Sequence, residues 1–236
     1  RKGAADVPPQ HNLPAQTTTF IGRVEELKDL ANLLGESDNR LITILAPGGM
    51  GKTRLALKTA ETCIAQFADG VYFVSLTALL SPDQLVPVIA DALGLQLTSD
   101  PRTPKQQLMS FLGSKHILLV LDNFEHLVAS AALLNDLLEA APHLHILVTS
   151  RERLGLNGET LYPLRGMTYP QGGQAEDGLE FGAVQLFLEC GRRLQLQMAA
   201  EELNAVIRIC QMTQGMPLAL ELAAAWLVAL TPSEVA

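Results

Sequence analysis

The sequence predicts an α/β protein in which a parallel β-sheet flanked by helices is followed by a small all-α helical domain. Up to residue 168, short apolar runs alternate with segments of helical periodicity, an order typical of β-α-β units. The run Ile117–Leu121 is apolar throughout, as expected for a strand buried on both faces of a parallel sheet. Beyond residue 178 only helical patterns follow.

Each element is predicted from its own pattern. Runs rich in Val, Ile and Leu predict strands at Leu41–Ala46, Gly70–Leu76, His116–Leu121, Leu144–Thr149 and, as a short fifth, Glu159–Leu164. Apolar residues at helical spacing, in several cases after a first-turn proline, predict helices at Val24–Leu34, Thr53–Phe67, Pro82–Leu93, Pro104–Leu112, Ala129–Ala141, Ala183–Leu196, Glu202–Thr213 and Pro217–Leu230. The final segment, Thr231–Ala236, resembles the start of another helix.

The domain organisation follows from where these patterns change. Residues 1–19 are rich in Pro, Thr and Gln and predict an N-terminal linker, and residues 20–168 form the predicted α/β domain. A turn-rich connector at 169–178 leads to the helical domain at 179–236. We expect the chain to be part of a longer protein.

Composition and charge argue against several classes of protein. The 236 residues carry a formal net charge of −8, so no direct nucleic-acid partner is expected. No apolar run approaches the roughly 20 residues that a membrane span needs, and the first residues lack the apolar core of a signal peptide. We therefore expect a cytoplasmic protein with no membrane partner. Cys63, Cys190 and Cys210 are scattered and fit reduced thiols.

The segment from Leu41 to Ala56 is the most informative part of the chain. It reads as a buried strand, a glycine-rich loop and a helix that opens at Lys52, the order that a phosphate-binding loop requires. In such a loop, successive backbone N–H groups turn toward an anion, and the helix N-terminus adds its partial positive charge. A glycine-rich turn with a chance Lys-Thr pair is the alternative, and the strand and helix on either side argue against it.

The residue types of this loop indicate nucleotide chemistry. Lys52 would reach the β- and γ-phosphates and the Thr53 hydroxyl would bind Mg²⁺, so the expected ligands are ATP or ADP with Mg²⁺. The usual pattern G-x-x-x-x-G-K-[ST] here begins with Ala46, a departure of small expected effect. The candidate nucleotide-binding residues of the loop are Pro47, Gly48, Gly49, Met50, Gly51, Lys52, Thr53 and Arg54.

An acidic residue follows the third predicted strand. At the strand end, the Asp122 carboxylate can orient water on Mg²⁺ without lying in the apolar core. Alone this is a common strand-end turn, but after a phosphate loop it makes Asp122 the candidate metal partner of Thr53. The next residue is Asn123, which cannot act as a general base. Glu125 is the nearest acid in sequence, so we expect slow hydrolysis.

Other candidate positions have two interpretations each. Arg151 ends the fourth predicted strand and could reach the γ-phosphate, because a guanidinium pairs well with phosphate oxygens, or it could be a surface charge. Gly22 and Arg23 could place backbone groups against a base, or form an ordinary helix start. Pro217 opens the last helix at the position that proline favours, which by itself indicates a helix start and no more.

Five stretches together resemble the STAND class of signalling P-loop ATPases, most nearly its NB-ARC group and the bacterial branch found in large transcriptional regulators. They are Phe20–Arg23, Ala46–Thr53, Leu118–Glu125, Thr149–Arg151 and Gly215–Leu218. The resemblance preserves the order of the motifs and runs from about Asn12 to Leu230. It implies a P-loop NTPase domain followed by a helical, ARC-like domain.

The resemblance also implies a role for each stretch. The implied contacts are Ile21 and Arg23 with the adenine and ribose, Gly48–Thr53 with the phosphates, Thr53 and Asp122 with Mg²⁺, Arg151 with the γ-phosphate, and Pro217 with the adenine. In this family ADP holds a closed, inactive form and ATP permits an open, assembling one. An ATP-dependent homo-oligomer, and effector and sensor domains outside this chain, are therefore expected. The family's winged-helix domain, whose histidine contacts ADP, is also expected outside it, so any lock that depends on that histidine should be missing or weak.

Several functions are compatible with these patterns. The first is an ATP/ADP-binding switch with slow Mg²⁺-dependent hydrolysis, whose candidate catalytic residues are Lys52, Asp122, Glu125 and Arg151. The second is a hydrolysis-inactive module that keeps ADP as a structural ligand. The third is a mechanical or DNA-dependent ATPase of the AAA+ type, which usually needs two adjacent acids at the strand end. A small-molecule kinase would need an acceptor site that the sequence does not show.

Overall fold

A computed structural model describes residues 10–99, 101–171, 178–196 and 202–236. Within these residues the chain divides into two compact units. Of the described residues, the first unit holds 10–17, 27–45, 52–99 and 101–163, and the second holds 18–26, 46–51, 164–171, 178–196 and 202–236. Residues 1–9 of the predicted linker, residue 100, 172–177 of the predicted connector, and 197–201 lie outside the described residues. The domain boundaries expected from the sequence stay a prediction.

The first unit contains a five-stranded parallel sheet, which confirms the predicted fold class. Its strands are β1 Leu41–Leu45, β2 Val71–Ser75, β3 Leu118–Asp122, β4 His145–Ser150 and β5 Glu159–Pro163. They lie in the order β2-β3-β4-β1-β5, and every neighbouring pair is parallel. Strands β3 and β4 are buried along their whole length, as the apolar run of β3 predicts for a central parallel strand. Because the strands are parallel, all five carboxyl ends meet at one edge of the sheet.

The helices follow the predicted order with shifted ends. They are α1 Val24–Gly35, α2 Lys52–Thr62, α3 Leu85–Ala92, α4 Pro104–Leu112, α5 Ala132–Ala140, α6 Gly182–Arg193, α7 Leu203–Met212, α8 Pro217–Ala225 and α9 Pro232–Val235. Short 3₁₀ turns cover Ile64–Gln66, Pro82–Gln84, Phe124–Ser130, Gly178–Glu180 and Trp226–Val228. In the described part of the chain, no helix is long and apolar enough to cross a membrane.

The start of α3 shows why one predicted boundary was wrong. The sequence predicted a helix from Pro82, but the α-helix begins at Leu85 after a 3₁₀ turn. A helix from Pro82 would place Pro87 in its interior, where proline lacks the N–H that bonds the carbonyl four residues earlier. Beginning at Leu85 puts Pro87 in the first turn, where the missing N–H costs nothing.

The second unit contains a helical cluster that includes a close backbone crossing. Its buried core comes from α6, α7 and α8, with Met167 packed against them. The N–H of Met167 donates to the carbonyl of Gly215 at 2.8 Å, and Gly215 has a φ of 65°. A Cβ added at Gly215 would lie 2.0 Å from the Met167 carbonyl oxygen, so only glycine fits this crossing. The stretch Gly215–Leu218 is therefore more than the helix start that the sequence suggested.

The segment after residue 9 is bonded to the edge of the sheet. His11 forms a parallel bridge with Val71 of β2. The side chain of Asn12 accepts a hydrogen bond from the Phe73 N–H at 2.6 Å and donates to the Phe73 carbonyl at 2.9 Å. The Asn12 side chain thus pairs with both the N–H and the carbonyl of Phe73 at the edge of the sheet, which gives Asn12 a structural role.

His145, at the start of β4, is a buried titratable group. Its ring lies 5.4 Å from the ring of Phe67, centroid to centroid. Its Nδ1 is buried and has no hydrogen-bond partner among the described residues. Burial lowers the pKa of His145 below its ordinary value, and a hydrogen bond to the backbone of His143 opposes this only in part. Protonation of His145 is therefore less favourable in the folded protein than in an exposed histidine.

This burial predicts a loss of stability at acidic pH. Below the ordinary histidine pKa of about 6.5 the unfolded chain takes up a proton that folded His145 does not, so the free energy of unfolding falls as pH falls toward the lowered folded pKa. The variant His145→Gln should show a flatter dependence between about pH 7 and pH 5, measured by urea denaturation. His126→Gln, at an exposed position, is the control and should keep the wild-type slope. Equal slopes for both variants would contradict the assignment.

Candidate functional site

Asp122 ends β3 and is held by two hydroxyl groups from two other elements. Thr53, in the first turn of α2, donates to Asp122 Oδ1 at 2.7 Å. Thr149 of β4 donates to the same oxygen, also at 2.7 Å. Asp122 is only 7% exposed, so its carboxylate is fixed at the carboxyl edge of the sheet beside the start of α2.

Thr149 has a second bond that the sequence did not reveal. Its hydroxyl accepts the backbone N–H of Asn123 at 2.9 Å. Asn123 has the left-handed conformation, with φ 67° and ψ 51°, which asparagine tolerates better than most residues. Thr149 therefore fixes both the carboxylate of Asp122 and the turn that ends β3. The available signal was a hydroxyl residue at the end of a strand that is otherwise apolar.

The charged candidates of the first unit lie together near Asp122. The Arg151 Nε lies 2.8 Å from Glu125 Oε1, with Arg151 largely exposed and Glu125 mostly buried. The Glu125 Oε2 is buried and has no hydrogen-bond partner among the described residues. The pKa of Lys52 lies below its ordinary value, mainly because of burial. The carboxylates of Glu125 and Asp122 oppose this shift, and the charge of Arg151 adds to it. These charged residues of the first unit are therefore neighbours, and their roles stay a prediction.

The polar atoms at this edge suit a hard divalent cation. A hydroxyl and a carboxylate, from Thr53 and Asp122, are the oxygen donors that Mg²⁺ prefers, and Mg²⁺ keeps several waters when bound. Within the described ranges, no cluster of three or more His, Cys, Asp or Glu residues could hold a metal. A cation at Thr53 and Asp122 would therefore need water and phosphate as its other ligands.

In the second unit, the loop Ala46–Gly51 has the backbone that a phosphate loop needs. Gly49 and Gly51 have φ values of 79° and 82°, in the left-handed region that favours glycine. Ala46 has no positive φ, so alanine at that position causes no strain. The departure from the usual pattern is therefore structurally neutral.

The other candidates are placed as follows. Pro47 and Gly48 are exposed, Met50 is buried, and the half-buried set is Ile21, Gly22, Arg23, Gly49, Gly51, Lys52, Thr53, Arg54 and Pro217. Ile21 packs against the helical cluster of the second unit. Arg23 donates from Nη2 to the carbonyl of Met50 at 3.2 Å, and the N–H of Leu218 donates to the carbonyl of Gly49 at 3.1 Å. Leu218 was missed by the sequence, because a backbone donor leaves no residue-type signal.

These features define the class of the protein as a P-loop ATPase domain. The family of AAA domains matches residues 22–154, which is more than half of the chain. The chain belongs to this AAA-type family. The resemblance drawn from the sequence is confirmed at this level.

Relatives of the chain include bacterial regulators. An uncharacterized protein of Mycobacterium tuberculosis is 35% identical over 229 residues, which cover 96% of this chain and 55% of that protein. A putative HTH-type transcriptional regulator of the same organism is 37% identical over 203 residues, covering 85% of this chain and 22% of the regulator. The chain thus spans about half of the first relative and less than a quarter of the second.

Solved structures share the fold at low sequence identity. A STAND protein of Pyrococcus horikoshii with a tetratricopeptide repeat sensor is 20% identical with a TM-score of 0.56, covering 91% of this chain and 31% of that chain. Drosophila ORC, in a structure bound to DNA, is 17% identical with a TM-score of 0.59, covering 90% of this chain and 62% of that chain. At these identities the likeness extends to the fold alone.

The hydroxyl of Thr149 should contribute measurably to stability. Thr149→Val removes the partner of the buried Asp122 carboxylate and of the Asn123 N–H, and should lower the free energy of unfolding by about 1–3 kcal/mol. Thr59→Val is the matched control, because that hydroxyl is equally buried and has no hydrogen-bond partner in the described structure. Chemical denaturation should show little change or a gain for Thr59→Val. A similar loss for both variants would show that the Thr149 bonds contribute nothing.

Proposed function

We propose that the chain is the nucleotide-binding switch of a multidomain transcriptional regulator, alternating between a closed ADP state and an open, assembling ATP state. The observation that carries the proposal is the hydrogen bond from Thr53, at the start of the helix behind the loop, to the buried carboxylate of Asp122. This pair occurs in a chain that belongs to the AAA-type family and is similar to a putative transcriptional regulator. Effector and sensor domains, and a homo-oligomer in the ATP state, belong to the proposal for the full-length protein.

In this proposal the loop binds the phosphates, and the residues at the carboxyl edge of the sheet bind the metal. The backbone N–H groups of Pro47–Thr53 (proline excepted) and the Lys52 ammonium bind the phosphates, since lysine and helix N-termini attract anions. Thr53 and Asp122 would hold Mg²⁺, which would supply positive charge against the phosphates. Burial is the main cause that lowers the pKa of Lys52, and the nearby carboxylates of Glu125 and Asp122 oppose that shift.

Slow hydrolysis follows from the residues around Asp122. Asn123 offers an amide where a second acid would polarise the attacking water. Glu125 is the remaining candidate base, and Arg151 engages one of its oxygens at 2.8 Å. That oxygen is therefore occupied by the guanidinium in this arrangement. Glu125 would act as a base only after Arg151 releases it.

In this proposal Arg151 distinguishes ATP from ADP by contacting the γ-phosphate. Paired with Glu125 in this structure, its exposed guanidinium can exchange that carboxylate for a γ-phosphate, which offers a stronger bidentate partner. A ligand shifts a two-state equilibrium only through contacts that differ between the states. The γ-phosphate provides such a contact and ADP does not.

The second candidate function is a DNA-dependent or mechanical ATPase. It is favoured by the fold shared with Drosophila ORC in its DNA-bound structure. The formal net charge of −8 and the single acid at the end of β3 argue for the switch instead. A hydrolysis-inactive ADP module would be the third outcome, and turnover separates it from the other two.

The first test identifies the nucleotide and its turnover. We expect denatured wild-type protein to release ADP, detected by chromatography, and Mg²⁺-dependent turnover to be slow. Lys52→Ala should weaken ADP binding on the order of 100-fold, because it removes a charge-assisted contact to phosphate. Lys58→Ala, on the same helix in a surface pair with Glu61, is the control and should bind as wild type. An empty site with fast turnover would favour the mechanical ATPase, and tight ADP binding by Lys52→Ala would overturn the loop assignment.

The second test concerns nucleotide discrimination. Arg151→Ala should reduce the preference for ATP over ADP by about tenfold while leaving ADP affinity nearly unchanged, since the lost contact is to the γ-phosphate. Arg153→Ala, an exposed arginine two residues on, is the matched control. Isothermal titration with ADP and a non-hydrolysable ATP analogue measures both. A large loss of ADP affinity in Arg151→Ala would make Arg151 a structural residue instead.

A further inference from the structure

Two consecutive carbonyl groups of the phosphate loop are bonded by donors from outside the loop. Arg23 Nη2 donates to the carbonyl of Met50 at 3.2 Å. The backbone N–H of Leu218, in the first turn of α8, donates to the carbonyl of Gly49 at 3.1 Å. All four residues belong to the second unit.

Because the peptide bond is planar, each of these hydrogen bonds to a carbonyl also orients the N–H group of the next residue. In a planar trans peptide the C=O and the N–H point in opposite directions. Fixing the Gly49 carbonyl outward therefore directs the Met50 N–H the other way, and fixing the Met50 carbonyl does the same for the Gly51 N–H. A phosphate loop binds by turning successive N–H groups toward an anion. Two of those donors are thus oriented by Leu218 and Arg23.

Arg23 is held firmly in this position. Its side chain is 6% exposed, and its Nη1 lies 2.7 Å from Glu26 Oε1. Its backbone adopts a φ of 61°, which disfavours a long side chain and persists only where surrounding contacts determine it. The preceding Gly22 is also left-handed, and a Cβ there would lie 3.0 Å from Met167 Cε. This tight turn directs the guanidinium onto the loop backbone.

Leu218 and Pro217 also lie close to the loop. A Cβ added at Gly49 would lie 2.9 Å from the Cβ of Leu218. A Cβ added at Gly51 would lie 3.8 Å from Pro217 Cγ. The first turn of α8 therefore packs directly on the glycine backbone of the loop.

We propose that Arg23 and Leu218 are positioning residues that set the phosphate loop for the pyrophosphate group of a nucleoside di- or triphosphate. Arg23 acts through the Met50 carbonyl and not through the adenine or ribose. Leu218 makes the loop sensitive to the position of α8, because movement of this helix away from Gly49 breaks the bond that orients the Met50 N–H. The proposal rests on the proposed nucleotide-binding function and adds a coupling between helix position and phosphate affinity.

The test compares a ligand that has a nucleoside with one that does not. Mg²⁺·ADP and Mg²⁺·pyrophosphate are titrated in competition with a fluorescent ADP analogue. Arg23→Ala should weaken both by the same factor, about tenfold, because the loop that binds their shared group is disturbed. Arg23→Lys keeps a donor and a charge for Glu26 and should restore part of the affinity. Arg208→Ala, an exposed arginine of α7, should match wild type.

Each other result has a defined meaning. Weaker ADP binding with unchanged pyrophosphate binding would mean that Arg23 contacts the nucleoside, and unchanged binding of both would mean that its bond does not orient the loop. Either result overturns the proposal while leaving the proposed function intact. A wild-type protein that binds neither ligand would overturn the proposed function itself. If Arg23→Ala does not fold, Glu26→Gln, which loosens the guanidinium, should weaken both ligands equally and to a smaller extent.

Leu218 is tested by removing its N–H. Leu218→Pro lacks this donor at a first-turn position, where a helix tolerates proline, and should weaken pyrophosphate and ADP by the same factor. Leu218→Ala keeps the donor and should retain most of the affinity. Circular dichroism establishes that both variants fold. Equal affinities in the two variants would exclude a role for the Leu218 N–H.

Discussion

The candidate site depends on Asp122, one oxygen of which accepts hydrogen bonds from two hydroxyl groups. Thr53 and Thr149 come from α2 and β4, and each donates at 2.7 Å. A carboxylate buried at the end of β3 needs such partners, since an unpaired charge in this place would cost several kcal/mol. The bonds therefore fix the start of α2 relative to the carboxyl edge of the sheet.

Other contacts are more adjustable and would suit the proposed switching. Arg151 is largely exposed and pairs with Glu125 at its Nε, so its exchange between partners costs little solvation. The loop carbonyls of Gly49 and Met50 are bonded to groups that can move with α8 and with the turn at Arg23. In the proposed function, a fixed carboxylate combined with exchangeable contacts would suit an equilibrium that a nucleotide biases.

Local sequence patterns predicted much of the fold, and there are physical reasons why one helix boundary and one residue's role were not predicted. Strand β3 was found because a strand buried on both faces of a parallel sheet is apolar throughout, and β4 was found from its shorter apolar run Ile146–Val148. The boundary at Pro82 failed because Pro87, not Pro82, decides where the α-helix can begin. The role of Thr149 was missed because its partners lie 26 and 27 residues away in sequence.

The sequence by itself determined the α/β class, the loop Ala46–Thr53 and the identity of the charged residues, because these depend on residue type and local spacing. Only the tertiary structure decided what each residue contacts. It showed that Arg23 bonds a loop carbonyl, that Gly215 is required by a crossing with Met167, and that Leu218 contributes a backbone N–H. Such contacts join segments far apart in the chain through backbone atoms, which every residue possesses, and so they leave no mark in the pattern of side chains.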